Sequence, residues 1–364
     1  MYGKECIKEL QRFLIAKPKE CRVVVLPDFF LDRLINLDWT PSEFSGLISD
    51  VAKRKGGSID GIHQTDLRGG NAINVASALA KLDVTVIPIV CTSEYGLQQI
   101  KYYFKDTSID TSHLKIRNKA SITTALEFKN KKEKTNVMIR DLGSLSDFSP
   151  EDLNENDYAL IEDADYTCLF NWAGTLKFGT ALAQAIFGKA KVKGKGKTYY
   201  DMADPTPNGV EIAELIEKVL KSNQVDILSL NENEAIIYAS LLDKTMDDKK
   251  DHFAFAELSM EAARILAKHL SSRIDLHTTV FSATLRGKNE IVVPTFKVKV
   301  LRATGAGDAW TAGNILGDRN GLSDECRLML ANAVAACYLS DPDSQHPTWT
   351  KLSIFLRDTV RGWR

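Results

Sequence analysis

The sequence predicts an α/β fold, an αβα sandwich in which helices cover both faces of a mostly parallel central sheet. The main observation is that strand-like segments (YALIEDA, KTYYDMA, QVDILSL and TTVFSAT) alternate with helical segments from residue 157 onward. Parallel strands joined by crossover helices produce such alternation. The helices are predicted at 175–187, 209–222, 232–242 and 257–271, and two more begin at 308 and 324.

The N-terminal part of the chain fits the same fold. Ile7, Leu10 and Leu14 recur at helical spacing, which predicts a leading helix over 4–16. The segment RVVVLPDFF is predicted to be the first buried strand, because it is apolar, rich in β-branched residues and stopped by Pro27 and Asp28. An Ala-rich helix from Gly69 to Leu82 and the strand VTVIPIV follow.

A small second sheet is predicted beside the main one. SITTALEF and TNVMIR have strand patterns and are separated by the charged turn KNKKEK, which together indicate a hairpin. The polar segment 38–68 contains a short exposed strand at 62–67. We therefore expect one domain over 1–364, with the strands of the small sheet drawn from about 38–68 and 120–140.

Composition argues against several classes of function. The 364 residues include 47 Lys and Arg against 48 Asp and Glu, so the net charge of −1 gives no electrostatic basis for binding nucleic acid or an anionic membrane. No apolar run is long enough to cross a membrane, and Met1 to Glu20 lacks the apolar core of a signal peptide. The six scattered cysteines favour reduced thiols in the cytoplasm over disulfides or a zinc site. The run KAKVKGKGK at 189–197 favours a solvated loop over an anion site.

The most specific motif is RATGAGDAW at 302–310. Gly305 and Gly307 allow a tight turn whose N–H groups point into one concavity, and the helix that follows adds the positive end of its dipole. Such a turn suits the charge of a phosphoryl group, and Asp308 beside it could accept the proton of an attacking hydroxyl. On its own, however, the motif favours a glycine turn in which Asp308 only caps the helix.

A second motif, GGNAINVASALA at 69–80, begins another helix. Gly69 and Gly70 permit close approach of the backbone to a ligand, and Asn74 offers a donor and an acceptor to paired hydroxyls. The alternative is a helix start with an Ala-rich packing face.

Two further polar segments follow strands, where ligands bind in open α/β sheets. LPDFFLDRL contains Asp28, which we expect to be a loop cap, and Asp32, which could accept hydrogen bonds from a polyol. LNENEA places Asn231 and Glu234 three residues apart at a helix start, where they could hold waters around a magnesium ion. Alone, the pair is better explained as a helix cap.

The order of these motifs resembles that of the ribokinase, or phosphofructokinase-B type, family of sugar and nucleoside kinases. The order is an Asp after the first strand, Gly-Gly-x-x-x-Asn-Val-Ala, Asn-x-x-Glu and Thr-Gly-Ala-Gly-Asp, over residues 21–340. LPDFFLDR also looks like the opening of heptose-phosphate kinases, without fixing the substrate. The resemblance implies an αβα sandwich with a β-sheet lid, which uses ATP and Mg²⁺ to phosphorylate a hydroxyl of a sugar or sugar-like small molecule.

The resemblance also implies roles for single residues. Asp308 corresponds to the catalytic base, and Gly305, Ala306 and Gly307 correspond to its anion hole. The other positions are the acceptor ligands Asp32, Gly69, Gly70 and Asn74, the magnesium- and phosphate-organising Asn231 and Glu234 (Glu234 acting through water), and the nucleotide-binding Ser282, Gly287, Thr304 and Asn332. The strands at 60–68 and 122–139 resemble the lid, which in this family often forms a homodimer interface.

The chain departs from the family pattern at several positions. Arg302 and Ala303 stand where the family usually has Asp and Thr, Asp83 replaces a Gly, and 92–96 lacks the Gly and Asp of Gly-x-Asp-x-x-Gly. In many members the Asp at the place of Arg302 helps to bind potassium. A guanidinium cannot ligate a cation, so we predict activity independent of potassium.

Three rival functions stand beside this one. The acceptor could be a nucleoside, although no stacking aromatics are obvious in the predicted lid. The chain could be a catalytically silent sensor on the same fold, which the intact Asp308 argues against. A dinucleotide-dependent oxidoreductase is disfavoured, since 26–34 contains no glycine for a Gly-x-Gly-x-x-Gly turn.

Overall fold

The structure, a computed structural model, describes residues 3–16, 18–107, 109–129, 134–249, 253–301, 304–343 and 345–360. Its strands are β1 (Arg22–Leu26), β2 (Phe30–Leu37), β3 (His63–Gly69), β4 (Thr85–Pro88), β5 (Cys91–Thr92), β6 (Lys115–Ile116), β7 (Ser121–Lys129), β8 (Lys134–Asp141), β9 (Tyr166–Phe170), β10 (Lys197–Asp201), β11 (Ile227–Leu230), β12 (Arg273–His277), β13 (Phe281–Arg286) and β14 (Asn289–Pro294). Its α-helices are α1 (Lys4–Ile15), α2 (Pro41–Lys53), α3 (Asn71–Lys81), α4 (Glu94–Tyr103), α5 (Glu155–Asp163), α6 (Gly179–Lys191), α7 (Ile212–Leu215), α8 (Glu232–Leu242), α9 (Thr245–Lys249), α10 (Phe255–His269), α11 (Ala306–Arg319), α12 (Asp324–Leu339) and α13 (Trp349–Thr359).

The main sheet has eight strands in the order β14-β13-β12-β11-β10-β9-β1-β4. The six strands from β12 to β4 are parallel, and β13 and β14 add an antiparallel hairpin at one edge. The carboxyl ends of the six parallel strands therefore lie along one edge, which is where the site described below is built.

Helices cover both faces of this sheet, as the alternating side chains of β1 show. Val24 and Leu26 contribute to the core shared with α6, α8 and α10. Val23 and Val25 point the other way, into the core shared with α1, α3, α11, α12 and α13. A strand buried on both faces needs continuous apolar residues, which is why RVVVL reads as an unbroken apolar run. The predicted αβα sandwich with a mostly parallel sheet is confirmed.

A separate four-stranded sheet, called the lid sheet below, has the order β3-β2-β7-β8. The predicted hairpin is formed by β7 and β8, which pair antiparallel, and residues 130–133 of its turn lie outside the described part of the chain. The exposed strand expected at 62–67 corresponds to β3. Strand β2 was not predicted, because FLDRLINL shows no strict alternation of polar and apolar residues and follows the first strand too closely.

Some predicted element boundaries were wrong. YALIEDA is not a strand but most of α5, which begins with a capping box between Asn154 and Asp157; the strand is the next segment, YTCLF. TTVFSAT combines the turn at 278–280 with part of β13, and β12 precedes it. In both cases apolar residues on the face of a helix or around a turn imitated a strand.

The structure also bears on three expectations drawn from the composition. All six cysteine thiols are free and buried. Four of the lysines at 189–197 form ion pairs with acidic residues: Lys189 with Glu162, Lys191 with Asp226, Lys193 with Glu162 and Asp163, and Lys197 with Asp318. Within the described ranges, no helix combines the length and apolar character that a membrane span requires.

Candidate active site

A cavity of about 770 Å³ lies at the carboxyl ends of the central strands. Part of its wall is polar and comprises Asn71, Asp201, Asn231, Glu232, Glu234, His277 and the turn Gly305–Asp308. Another part is largely apolar and comprises Val280, Pro294, Phe296, Val298, Val300, Ala335, Ala336 and Leu339, together with Asn332. The volume and this mixture of surfaces are typical of a site for a drug-sized small molecule.

Asp308 lies in the first turn of α11 and is 6% exposed. Each of its carboxylate oxygens accepts a hydrogen bond from an asparagine of α3: Oδ1 from Nδ2 of Asn71 at 2.9 Å, and Oδ2 from Nδ2 of Asn74 at 2.9 Å. The side chain is thus oriented from two sides by the helix that follows Gly69-Gly70. The two glycine motifs, far apart in sequence, meet at this carboxylate.

The electrostatic surroundings make Asp308 a stronger base than an ordinary aspartate. Burial and, to a smaller extent, the charge of Asp201 outweigh the lowering effect of the bonds from Asn74 and Asn71, and together these effects raise its pKa to about 8. A pKa near the working pH is what a general base requires, since the group must be able both to take up and to release a proton.

The turn before Asp308 has the backbone geometry that its glycines were expected to allow. Gly305 has φ 87°, in the left-handed region, and is the N-cap of α11. The first N–H groups of an α-helix have no acceptor within the helix, and the residues that carry them here, Gly305, Ala306 and Gly307, line the cavity. Such a helix start is a binding site for anions. Thr304 precedes the turn, and its carbonyl oxygen accepts a hydrogen bond from Tyr338.

Asn231 and Glu234 form a capping box at the start of α8. Oδ1 of Asn231 accepts from the backbone N–H of Glu234 at 3.0 Å, and Oε2 of Glu234 accepts from the backbone N–H of Asn231 at 3.0 Å. The pair is therefore a helix cap, the simpler of the two interpretations, and it also lies on the cavity wall.

A second carboxylate, Asp201 at the end of β10, stands close to this cap. Burial raises the pKa of Glu234, and the charge of Asp204 also raises it. Burial and the charge of Glu234 raise the pKa of Asp201 well above its ordinary value. When both carboxyl groups are ionised, their negative charges repel each other. Their oxygens therefore form a site that a divalent cation would stabilise.

Asp28 and Asp32 have different roles. Asp28 caps α3 by accepting from the backbone N–H groups of Asn71 at 3.0 Å and Ala72 at 2.8 Å, which agrees with its interpretation as a cap. Asp32 lies on β2 with a buried Oδ1 that has no hydrogen-bond partner among the described residues. Burial raises its pKa to about 6.

The backbone of the Gly-Gly segment passes close to both aspartates. A Cβ on Gly69 would overlap the carboxylate of Asp32, and a Cβ on Gly70 would lie 2.9 Å from the carbonyl oxygen of Asp28. Gly70 also has φ 92°, so both positions require glycine. The predicted acceptor residues are therefore connected: Gly69 packs against Asp32, and Asn74 of the helix that follows Gly70 bonds Asp308.

Of the residues predicted to bind the nucleotide, Asn332 lies on the cavity wall and Ser282 is buried behind it. Oγ of Ser282 donates to Oδ1 of Asn332 at 2.6 Å, and Nε1 of Trp310 donates to the same oxygen at 2.9 Å. Gly287 is placed elsewhere: it turns the β13–β14 hairpin, at the end opposite to Val280 and Pro294, which line the cavity. This position gives no support to its assignment to the nucleotide site, since the turn that lines the cavity precedes β13.

Several residues of the site were missed by sequence reasoning. They are Asn71, Asp201, His277 and the turn Thr278–Val280. Asn71 lies in the motif GGNAINVASALA, and its side-chain amide could have been identified by the same reasoning as that of Asn74. Asp201 and His277 end strands, but a lone Asp or His at a strand end carries no signal until the strand order is known. Arg302 and Ala303, on which the potassium prediction depends, lie outside the described residues.

Comparisons with known proteins support the fold and identify the family. The family described as pfkB family carbohydrate kinase matches residues 46–351. Adenosine kinase from Sinorhizobium meliloti superposes with a TM-score of 0.70 at 17% identity, covering 95% of this chain and 100% of that one. Ribokinase from Arabidopsis thaliana, solved with ribose and ATP, gives 0.69 at 18% identity over 93% and 99%. Ribokinase from Cryptococcus neoformans, solved with ADP, gives 0.70 at 15% identity over 92% and 99%. No curated protein matches the sequence.

The fold and the family match define the chain as a carbohydrate kinase. Since the family match extends over most of the chain, the protein belongs to the pfkB family of carbohydrate kinases.

Proposed function

We propose that the protein transfers the γ-phosphoryl group of ATP to a hydroxyl of a sugar or sugar-like small molecule, with Asp308 as the general base. The observation that carries this proposal is the placement of Asp308: its buried carboxylate, held by Asn71 and Asn74, stands at a helix N-terminus on the wall of a nucleotide-sized cavity. Few structural roles explain a buried carboxylate with a raised pKa at a cavity wall, whereas general-base catalysis requires one.

The turn Gly305–Gly307 is assigned the role of stabilising the negative charge that develops on the phosphoryl group. Phosphoryl transfer depends mainly on positioning and electrostatic stabilisation. N–H groups at the start of α11 are fixed before the reaction begins, so they stabilise that charge without reorganisation. Asp308 then removes the proton from the acceptor hydroxyl as its oxygen attacks phosphorus and the bond from phosphorus to the bridging oxygen of ADP breaks.

Magnesium fits the oxygen donors beside the cavity. Asp201, Asn231 and Glu234 offer carboxylate and amide oxygens, and the raised pKa values of Asp201 and Glu234 indicate unbalanced negative charge there. We assign these three residues to hold the ion and its waters, with Glu234 acting through water. Bound magnesium supplies positive charge that neutralises the phosphate oxygens.

The acceptor is assigned to the side of Asp308 formed by Asp32, Gly69 and Gly70. The buried, unpartnered Oδ1 of Asp32 supports this assignment, since a hydroxyl could donate to it. Asn74 changes its role relative to the sequence expectation. Its amide nitrogen bonds Asp308, so it orients the base in addition to any contact with the acceptor.

The test of this function is a survey of acceptors with ATP and magnesium, in which ADP formation is measured for sugars, sugar phosphates, inositols and nucleosides. We expect ADP formation that depends on a sugar or sugar-like acceptor. Turnover with nucleosides alone would move the acceptor to that class. ATP binding without turnover for any acceptor would favour a silent sensor.

A homodimer through the lid sheet is also proposed. Its edge strand β8 and the neighbouring β7 expose apolar side chains: Ile122 (42%), Val137 (44%), Met138 (49%) and Ile139 (59%). Exposed apolar edge strands favour pairing with another chain. Sedimentation of Ile139→Asp should show a monomer where the wild type is a dimer, and Val210→Asp, at a 97% exposed position outside the lid sheet, should not. A monomeric wild type would contradict this proposal.

A further inference from the structure

Tyr338, in the last turn of α12, contacts the turn that begins α11. Its Oη donates a hydrogen bond to the carbonyl oxygen of Thr304 at 3.0 Å. A Cβ placed on Gly305 would lie 2.7 Å from the same hydroxyl oxygen, so the phenol packs directly against the turn. Tyr338 therefore fixes the peptide that immediately precedes the anion-binding N–H groups.

The ring of Tyr338 also stacks on a buried histidine. The imidazole of His346 lies against the phenol, with 4.7 Å between ring centroids and 23° between the ring planes. Nδ1 of His346 lies 3.0 Å from a terminal guanidinium nitrogen of Arg68 and 3.0 Å from Oγ of Ser77. Because a guanidinium only donates, Nδ1 must accept, which places the proton of the neutral ring on Nε2.

The two partners of His346 belong to the parts of the site that surround the acceptor. Arg68 is on β3 of the lid sheet, directly before Gly69. Ser77 is on α3, the helix whose Asn71 and Asn74 hold Asp308. A continuous set of contacts thus connects the lid sheet and α3, through the stacked rings of His346 and Tyr338, to the anion-binding turn.

The segment that carries His346 is itself held in place. Oδ1 of Asp341 accepts from the backbone N–H groups of Asp343 and Gln345, both at 2.9 Å. Lys351 forms an ion pair with the other oxygen of Asp341. His346 is 3% exposed. A buried ring fixed by its own loop can transmit a displacement of Arg68 to Tyr338 instead of absorbing it.

We propose that Tyr338 and His346 are positioning residues for phosphoryl transfer: through them, the position of the lid strand at Arg68 and of the acceptor helix at Ser77 sets the orientation of the Thr304–Gly305 peptide. The proposal rests on the function assigned to the Gly305–Asp308 turn. In this arrangement the anion hole is correctly oriented only when the lid strand β3 and the helix α3 are in place. Disturbing these contacts should therefore lower kcat and leave ATP binding unchanged.

The first test is Tyr338→Phe, which keeps the ring stacked on His346 and removes only the hydrogen bond to Thr304. We expect kcat to fall about three- to tenfold, the range for one net hydrogen bond, with the KM values for ATP and acceptor unchanged. The matched control is Tyr158→Phe, since Tyr158 also donates to a backbone carbonyl, that of Pro150 at 3.1 Å, and does not line the cavity. A purely structural role for Tyr338 would give both variants a similar loss of thermal stability and a wild-type kcat.

The second test measures coupling between Arg68 and Tyr338. Arg68→Met should lower kcat in the wild-type background and have little further effect in Tyr338→Phe, and Arg68→Lys, which restores a donor, should recover part of the rate. Ser77→Ala, expected to lower kcat about two- to threefold, provides a second measurement if a Tyr338 variant fails to fold.

The outcomes separate this proposal from the function on which it rests. Additive effects of Arg68→Met and Tyr338→Phe, or a wild-type kcat in Tyr338→Phe, would overturn the positioning role while leaving acceptor-dependent transfer intact. A wild-type protein without any phosphoryl transfer would overturn both.

Discussion

Replacement of Asp308 by Asn removes the proton acceptor and preserves almost all of the side-chain volume. In the wild type each carboxylate oxygen accepts from one asparagine amide, at 2.9 Å in both cases. The new side chain keeps one acceptor oxygen, and the amide of Asn71 or Asn74 can turn to present its own oxygen to the new NH₂ group. The site should therefore remain assembled, and the change in rate reports the loss of the base.

The expected loss in kcat is about 10²–10⁴-fold, the usual contribution of a general base. The pH dependence gives a second measurement. With a pKa of about 8, roughly a tenth of Asp308 is ionised at pH 7 and roughly nine-tenths at pH 9. The kcat/KM of the wild type should thus rise with pH through about 8, and the Asp308→Asn variant should lose this rise.

The same substitution should stabilise the protein. The folded-state pKa of Asp308, about 8, lies above its ordinary value of 3.8. Between these two values the folded protein binds more protons than the unfolded chain, so this group's contribution to stability falls as the pH rises through that window. The amide introduced by Asp308→Asn does not titrate. The gain in melting temperature of Asp308→Asn over the wild type should therefore be larger at pH 8 than at pH 5.

The assay is coupled ADP formation with saturating acceptor, combined with thermal unfolding at the two pH values. Asp157→Asn is a matched control, because Asp157 is also buried near a helix start but its pKa is lowered by bonds from Lys115 and His113. It should lose stability at pH 7 and keep its kcat. A kcat for Asp308→Asn within a fewfold of the wild type would remove Asp308 from the mechanism.

Three further predictions concern the acceptor, the metal and the ion dependence. Asp32→Ala should raise the KM of the acceptor by tenfold or more, the effect of losing one charge-assisted hydrogen bond. Asp66→Ala, also on the lid sheet, should leave this KM unchanged. Loss of ATP binding in Asp32→Ala, with the KM of the acceptor unchanged, would reverse the assignment of Asp32 to the acceptor site. Glu234→Gln should raise the magnesium concentration needed for half-maximal rate. The control is Glu257→Gln, since Glu257 lies at another helix start and accepts from the backbone N–H of Ala254; this variant should leave the magnesium requirement unchanged. An unaltered requirement in Glu234→Gln would remove Glu234 from the metal site. The rate should be the same in potassium, sodium and choline salts, and Arg302→Ala should lower it only if the guanidinium replaces the ion; strong activation by potassium would contradict the prediction.

The sequence predicted those parts of the site that are encoded by short contiguous motifs. Gly305–Asp308 needs positive φ at Gly305 and a helix start, and both requirements are visible in TGAGDA. The same holds for Asn231 and Glu234, whose three-residue spacing produces the observed capping box. These features depend on local backbone geometry, which local sequence determines.

The features that sequence reasoning missed depend on which strands are neighbours. Asp201 opposes Glu234 only because β10 and β11 are adjacent in the sheet. Asn71 bonds Asp308 because α3 packs on α11 in the same layer. Gly287 shows the same dependence: a glycine suits a ligand-binding turn, but the turn that lines the cavity contains no glycine and comes earlier, after β12, at Thr278–Val280. Such long-range pairings are set by the packing of the whole chain.

Phosphoryl transfer by this protein is tested most directly by following the γ-phosphoryl group of labelled ATP to its product. For the wild type with a sugar or sugar-like acceptor, we expect one phosphorylated acceptor for each ADP formed, with the label on an acceptor hydroxyl. Transfer should be slower by about a hundredfold or more in Asp308→Asn. Label released only as inorganic phosphate, or transfer of equal rate in Asp308→Asn, would contradict the proposed phosphoryl transfer with Asp308 as its base.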